Sequence, residues 1–446
     1  MMINRYFFGA RIIAICTMVL ILSNCTSSKQ PPAPPIPTPT QTSSNIPDNS
    51  FLPPINTPRQ PIGKIVSVKN GVQYTAVQFS DLPDWNSQPF SGSLQSFRNS
   101  CLKLVNQSQW SQVCQIANGT GNLHAKSFFE QNFTPWAVSQ NGNLSGTVTG
   151  YYEPGLKGSL SSNSSARFPI YGVPYDFVSI PYNSANRNGQ IRISKTENGG
   201  KIDPQGAYIA NLNDFPINER TRALKGRFQG NQFVPYYTRA QINAGALDGK
   251  APILGYAEDA VELFFLQVQG SGRIALSDNQ QIRLSYADKN DYPYVSIGRY
   301  MASKGYLPLG QTDMNSIKNY LARNPNKLAE VLGQNPSYVF FRRENSYEQG
   351  PAGALGVPLT AGFSTAVDRH YITLGSPIFV ATTDPRNGRA LNRLMSAQDT
   401  GSAITGAVRI DFFWGYGQDA GALAGKMKYP GYVWTLLPNG LLPQAE

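Results

Sequence analysis

Two aspartates near the C-terminal end carry the strongest chemical signal in the chain. One lies in Ala397-Gln398-Asp399-Thr400-Gly401, the other opens Asp411-Phe412-Phe413-Trp414-Gly415-Tyr416-Gly417. Glycines and aromatics surround both, and other charges are scarce. Apolar surroundings raise a carboxyl pKa until the group can donate a proton, and aromatic faces stack on sugar rings. Acid chemistry on a carbohydrate fits these residue types. Asp and Gly are also ordinary turn formers, and on this stretch alone two turn aspartates in a β-rich domain is the simpler reading. The rest of the chain decides between the two.

Other proton carriers are poorly represented. Histidine occurs twice, at His124 and His370, far apart and in no metal-ligand spacing. A zinc site, a Cys–His pair and a Ser-His-Asp triad therefore lack support. No metal and no cofactor is expected, and carboxylates remain as the natural acids. Net charge is +11, falling by two to +9 if Arg5 and Arg11 leave with a signal peptide. A basic surface attracts polyanions such as nucleic acid, anionic lipid or an acidic wall polymer. There is no Lys/Arg run of the kind that marks a nucleic-acid patch, and a secretion signal argues against that partner.

The elements that must hold the aspartates read as mainly β. Charged residues make up only 15% of the chain, against 23 Tyr, 22 Phe and 41 Gly, a mix that suits short strands joined by turns. Strand-like runs are Leu144 to Tyr152, Phe177 to Ile180, Leu263 to Gln269, Tyr338 to Phe341, Pro377 to Ala381, Val408 to Trp414 and Tyr432 to Leu436. In the run that carries Asp411, alternation puts Val408, Ile410 and Phe412 on one face and Arg409, Asp411 and Phe413 on the other. Arg409 on that face would lower the Asp411 pKa and oppose an acid role. Helical patterns lie between residues 63 and 140, around Tyr294 to Met301, and after Thr312, a plausible N-cap, with Ile317, Tyr320 and Leu321 on one face. Asn324-Pro325 reads as a cap with a first-turn proline, and Gly333 as a stop. Many short strands with Gly turns suggest barrels rather than an open parallel sheet.

The N-terminus reads as a secretion signal, residues 1–24, with Arg5 and Arg11 before the apolar core Ile12 to Leu22. Leu22-Ser23-Asn24-Cys25 resembles a bacterial lipobox, with Asn24 where a small residue is usual, and makes Cys25 the expected lipid attachment site. Thr26, rather than Asp, follows it, so a periplasmic position anchored by lipid to the outer membrane is expected. Residues 25–62 form a Pro-rich tether, a semi-rigid spacer that cannot bury a core. About 385 residues then remain, enough for two domains. Cys101 and Cys114 flank a helical pattern. Unbroken helix would hold them ~20 Å apart, so either a turn near Asn106-Gln107-Ser108 allows a disulfide or both are buried thiols.

Several ordered motifs can now be read together: Thr149-Gly150-Tyr151-Tyr152, Gln267-Val268-Gln269-Gly270-Ser271-Gly272, Ser285 to Asn290, Asn335 to Phe341, Val357-Pro358-Leu359, Asp368-Arg369, Asp399 to Ile404 and Asp411 to Gly417. In this order, over roughly residues 140 to 440, the chain resembles the membrane-bound lytic murein transglycosylase A family. The resemblance implies a double-psi β-barrel domain with helices, built from 63–154 plus 335–446 and ending in a 3D-type region. It also implies an inserted, smaller β-barrel-like domain at 155–334, with a substrate groove between the two. It places the catalytic aspartate on Asp411 and a supporting one on Asp399, which would otherwise cap the turn at Thr400-Gly401. Thr149, Gln269, Gly270 and Ser271 would line the groove, although Ser271 could serve only its turn. Tyr151, Tyr152 and Trp414 would stack on sugars or belong to the core. Glu153 falls where the family varies and is not expected to be catalytic.

The activity so implied is that of a peptidoglycan lytic exotransglycosylase, a lyase. It cleaves the β-1,4 bond between N-acetylmuramic acid and N-acetylglucosamine and leaves 1,6-anhydro ends, with one aspartate as acid and then base. The alternatives are a non-catalytic peptidoglycan-binding lipoprotein and a hydrolytic muramidase using Asp399 as second carboxylate. Expected partners are glycan strands, the membrane through the lipid anchor, and a cell-wall synthesis or hydrolysis complex.

Overall fold

The computed structural model describes residues 47–183, 186–219, 221–277, 280–344 and 350–444. The expected signal sequence, Cys25 and the expected spacer as far as residue 46 lie outside the described residues.

Six strands close into a barrel. Around the ring they run Ser145–Glu153, Arg409–Tyr416, Ser364–Val367, Ala390–Asp399, Pro377–Thr383 and Lys428–Pro438, which pairs back onto Ser145–Glu153. Two junctions are parallel, Ser145–Glu153 with Arg409–Tyr416 and Ser364–Val367 with Ala390–Asp399. Closure removes the exposed strand edges that an open sheet would present. Strands Phe133–Gln140, Val72–Ala76 and Ile65–Ser67 extend the sheet outward from Lys428–Pro438. This barrel with attached helices and inserted sheets agrees with the mainly β, barrel-based fold expected from the sequence.

Helices Phe90–Leu104, Ser108–Gly119 and Ala125–Asn132 cover one side of this sheet. Phe97, Trp110, Phe128, Phe129 and Phe133 are fully buried between them. Their ring centroids lie 5.1 to 6.5 Å apart, a spacing at which each pair contributes about 0.5–1.5 kcal/mol beyond burial. The first helix ends at Leu104 and the second starts at Ser108, so a turn does separate the cysteines. Cys101 and Cys114 form a disulfide with Cα atoms 5.3 Å apart.

The spacer becomes part of the domain earlier than residue 62. Ser50 C=O accepts from Gly121 N–H at 2.7 Å, and Ile55 N–H donates to Asn132 Oδ1 at 2.8 Å. Gln60 N–H donates to the Thr134 hydroxyl at 3.2 Å. From residue 47 the Pro-rich segment lies along the helices, because its backbone finds partners there even without regular structure.

The inserted segment holds two six-stranded sheets. The first runs Val339–Glu344, Gln281–Lys289, Ser271–Ala275, Gly155–Ser159, Ile253–Ala257 and Phe168–Tyr171. The second runs Val178–Pro181, Ala223–Gln229, Gln232–Pro235, Tyr208–Asn211, Gln190–Thr196 and Gly199–Ile202. Val339–Glu344 pairs with Gln281–Lys289, so inserted-sheet pairing continues past residue 334.

Two local expectations need correction. The run Leu263 to Gln269 is not a strand: Ala260–Gln269 is a helix. Asp259 caps it, its carboxylate accepting from the N–H groups of Val261 and Glu262. The helix is apolar nearly all round because Leu263 and Leu266 pack into one core, while Val261 and Phe264 pack into another. A short continuous apolar run does not distinguish a doubly buried helix from a strand. The helix Met314–Arg323 is capped by Asp313, not Thr312. The Asp313 carboxylate accepts from Asn315 and Ser316 N–H, while the Thr312 hydroxyl donates backwards to Leu309 C=O.

Candidate active site

Cross-strand register gathers the chemistry into one row. Asp411 faces Thr149 on one neighbouring strand and Ala366 on the other. Ala366 is in turn opposite Asp399, and Thr149 is opposite Lys428. Directly paired residues project to the same face of a sheet. The row therefore reads Asp399, Ala366, Asp411, Thr149, Lys428, with only a methyl group between the strands of the two aspartates. Strands about 4.8 Å apart put those two Cα atoms roughly 10 Å from one another.

Asp399 enters this row through a register shift. Ser364 pairs with Ser396 and Thr365 with Ala397, but Ala366 pairs with Asp399 rather than Gln398. The extra residue turns Gln398 away from the row. Its amide donates to Ser96 C=O at 2.7 Å and to the Ser100 hydroxyl at 3.0 Å on the first helix, and its oxygen accepts from the Ser364 hydroxyl. Asp399 itself accepts from Ala354 N–H at 2.8 Å and Thr400 N–H at 2.9 Å. It thus fastens the Pro351-to-Leu359 loop, whose Leu359 packs with Tyr151, Ala366, Ile404 and Phe413. Burial pushes its carboxyl pKa up, against these N–H donors.

Asp411 is half-buried, with the Thr149 hydroxyl donating to its Oδ1 at 2.5 Å. Its pKa is raised to about 6, chiefly by burial, with a smaller push from the Asp399 charge. The Thr149 hydrogen bond and the Arg409 charge act the other way and do not prevail. Arg409 shares the strand face, as alternation predicts, yet its guanidinium donates to Ile410 C=O at 2.6 Å and Thr147 C=O at 3.3 Å. Engaged with backbone carbonyls, Arg409 makes no direct ion pair with Asp411. The surround is dense, yet the carboxyl keeps some solvent access.

The other expected site residues divide by face and burial. Tyr151 is buried, 5.1 Å from Phe413. Its hydroxyl has no hydrogen bond of good geometry, although it lies near enough to Asp399 for the two to perturb each other's pKa values. Tyr152 covers Gly421, its hydroxyl directed at Met314. Trp414 packs on Phe412 at 4.7 Å, and its indole N–H points to Met427 Sδ at 3.2 Å. Both contacts are on the strand face opposite Asp411. A Cβ on Gly150 would come within 2.7 Å of that indole, so glycine leaves the room that the Trp414 ring takes. Gln269 accepts from Tyr152 N–H at 3.3 Å and so ties the inserted helix to the barrel. Gly270, at φ +79°, ends that helix in the left-handed conformation. Ser271 begins the next strand opposite Ser285.

Sequence reasoning passed over Lys428 and the loop N–H of Ala354; only the register and the loop's path bring them to the row. Asp368, in the Asp368-Arg369 motif, is buried away from the row. It accepts from Gly406 N–H at 2.7 Å and contacts His370 Nδ1 at 2.8 Å, steadying the turn that leads into the Asp411 strand. A cavity of about 420 Å³ flanks the site, lined by Phe413, Leu359, Thr360, Glu153, Arg273 and Tyr416 among others. Neither Asp411 nor Thr149 lines it, so it adjoins the row without containing it.

A closed barrel with two pKa-raised aspartates on one face can be set against known proteins. Residues 147–342 match the MltA specific insert domain, and residues 363–437 match the 3D domain. The crystal structure of MltA from Neisseria gonorrhoeae is 56% identical, with a TM-score of 0.79, over 90% of this chain and 100% of that one. The chain belongs to the membrane-bound lytic murein transglycosylase A family. Membrane-bound lytic murein transglycosylase A of Vibrio cholerae is 36% identical over 206 residues, which span 45% of this chain and 55% of that relative's length. E. coli MltA with bound chitohexaose is 25% identical, with a TM-score of 0.56, over 85% of this chain and 98% of that one. Within this family frame, Asp399 and Asp411 both lie in the matched 3D domain, and Thr149, Gln269 and Ser271 in the matched insert domain.

Proposed function

We infer that this chain is a peptidoglycan lytic transglycosylase that cleaves between N-acetylmuramic acid and N-acetylglucosamine, with Asp411 as its single acid and base. Family membership supports the reaction class. The observation that carries the residue assignment is the half-buried Asp411 carboxyl, held near pKa 6 beside Thr149. A glycan strand as ligand is supported by the relative that binds chitohexaose.

The steps follow from one carboxyl. Protonated Asp411 gives its proton to the glycosidic oxygen as the bond from that oxygen to C1 of the muramic acid breaks. Positive charge develops at C1. The Asp411 carboxylate then takes the proton from the C6 hydroxyl of the same sugar, and O6 bonds to C1. Asp411 ends protonated, ready for another turnover, and no water is consumed. Intramolecular attack has a high effective molarity, so a second carboxylate to place water is not required. The Thr149 hydroxyl stabilises the carboxylate between the two proton transfers. Asp399 fixes the Ala354 loop over the row and adds negative charge on the side of the developing cation.

Digestion of purified sacculi, with mass analysis of the muropeptides, tests this. Wild type yields anhydro-muropeptides and Asp411→Asn yields none. Hydrated reducing ends would instead indicate a muramidase, and sacculi bound but uncut would indicate a binding protein. Attachment through Cys25 to the outer membrane belongs to the same proposal, on the lipobox and on the membrane-bound character of the relatives. Loss of membrane fractionation in Cys25→Ala tests it.

A further inference from the structure

The inserted domain contains a second cavity, about 480 Å³, whose lining lies wholly within residues 168–338. It shares no residue with the aspartate row. Its walls are apolar and aromatic: Phe168, Tyr171, Leu263, Phe264, Leu332 and Tyr338. One cation lines it. Arg239 is 3% exposed, and among the described residues no carboxylate lies within ion-pair distance of it. Its Nε–H donates to Asn335 C=O at 3.1 Å, one Nη to Ser337 C=O at 2.6 Å, and the other to the Gln267 side-chain oxygen. The guanidinium also lies over the Phe264 ring at 4.7 Å and the Tyr338 ring at 5.0 Å.

A guanidinium has five N–H donors, and three are used. One N–H is spare on each terminal nitrogen, and a guanidinium can bind a carboxylate with one donor from each. Burying a cation without an anion is unfavourable, and that penalty pulls the Arg239 pKa down to about 10. An incoming anion would relieve it. Pockets of 300–1,000 Å³ with apolar walls and a few placed polar groups are typical small-molecule sites. Asp248 also lines the cavity and is exposed. Its charge disfavours a ligand with a second anionic group.

We propose that this cavity is a binding site for a small monocarboxylate with an apolar or aromatic body, the carboxylate seated on Arg239 and the body between Phe264, Leu332 and Tyr338. The site lies apart from the glycan-cleaving row and does not depend on the reading of Asp411.

Calorimetric titration of the full-length protein with N-acetyl-phenylalanine and with its neutral amide tests the proposal. The acid binds saturably and the amide at least tenfold more weakly. Arg239→Gln abolishes acid binding, but it also removes three structural hydrogen bonds. The second variant is therefore Ala329→Trp, which fills the mouth from an exposed helix position. It weakens acid binding at least tenfold while thermal unfolding and muropeptide release stay as in wild type. Amide binding as tight as acid binding overturns the proposal, as does undiminished binding to Ala329→Trp. Lack of saturation up to about 10 mM does the same, and leaves Arg239 as a clamp on the Asn335-to-Ser337 turn.

Discussion

At the scale of single residues, the proposed chemistry turns on one carboxyl and what surrounds it. The ordinary carboxyl value of 3.8 holds for the unfolded chain, whereas Asp411 in the fold stands at about 6. The folded state therefore binds this proton more tightly. Below about pH 4 both states are protonated and the residue costs nothing; as pH rises through 6 the fold must bury a charge and stability falls. Asp411→Asn removes that cost and keeps an acceptor for Thr149. It should stabilise the protein by on the order of 2–3 kcal/mol at neutral pH, with the gain vanishing below about pH 4, as measured by denaturant unfolding across pH. Because the proposed first step needs the protonated form, kcat/KM for wild type should fall about tenfold per pH unit above 6. Thr149→Val deletes the hydrogen bond that favours the carboxylate. Its descending limb should move to higher pH, while kcat drops because the conjugate base loses its partner; a pH–rate profile separates the two effects. The apolar, Gly-rich setting of Asp411 was legible in the sequence because its aromatic and glycine neighbours adjoin it along the chain. The contacts of Trp414 were not: alternation places it with Phe412, but only the fold brings Met427 and the Gly150 gap to its ring.

At the scale of elements, alternation correctly assigned the two faces of the Arg409–Tyr416 strand. Ile410 and Phe412 enter the main core, while Phe413 packs with Tyr151 and Leu359. Alternation said nothing about Gln398, whose shift in register delivers Asp399. Helix Ala260–Gln269 was misread because its apolar surface is shared between two cores. Its real signal was Asp259, and Asp259→Ala should cost about 1 kcal/mol through loss of two N–H acceptor contacts. The first two helices are joined by the disulfide across a separation of 13 residues. Replacing both cysteines by serine should lower stability by about 3 kcal/mol while leaving muropeptide products unchanged at 25 °C, as checked by unfolding and digestion together.

At the scale of the whole molecule, a buried carboxylate joins the barrel to the inserted sheets, beside the Gln269–Tyr152 tie. Glu153, at the end of the strand that leaves the barrel, is fully buried. It accepts from Arg273 at 3.1 and 3.2 Å and from Arg283 at 2.9 and 3.3 Å, both on inserted strands. Arg273 in turn lies over the Tyr416 ring at 4.0 Å. Removing one partner of such a cluster leaves buried cations without their carboxylate. Glu153→Ala should therefore destabilise by about 3–5 kcal/mol and lower cleavage by displacing Gln269 and Ser271 relative to the row. A thermal melt and the rate of muropeptide release read these out.

The sequence by itself determined most kinds of element, the faces of the Asp411 strand and the apolar, Gly-rich setting of its carboxyl. Local period, turn residues and motif order are properties of neighbours along the chain, so they survive without knowledge of the fold. Only tertiary structure decided which residues stand beside Asp411. Asp399 and Ala354 come from the far side of Ser364–Val367, and Thr149 and Lys428 from two strands on the other side. Only burial in the folded chain lifts the Asp411 pKa to about 6, against the Thr149 hydrogen bond and the Arg409 charge. Register, closure and desolvation arise between segments distant in sequence, and no spacing along the chain records them.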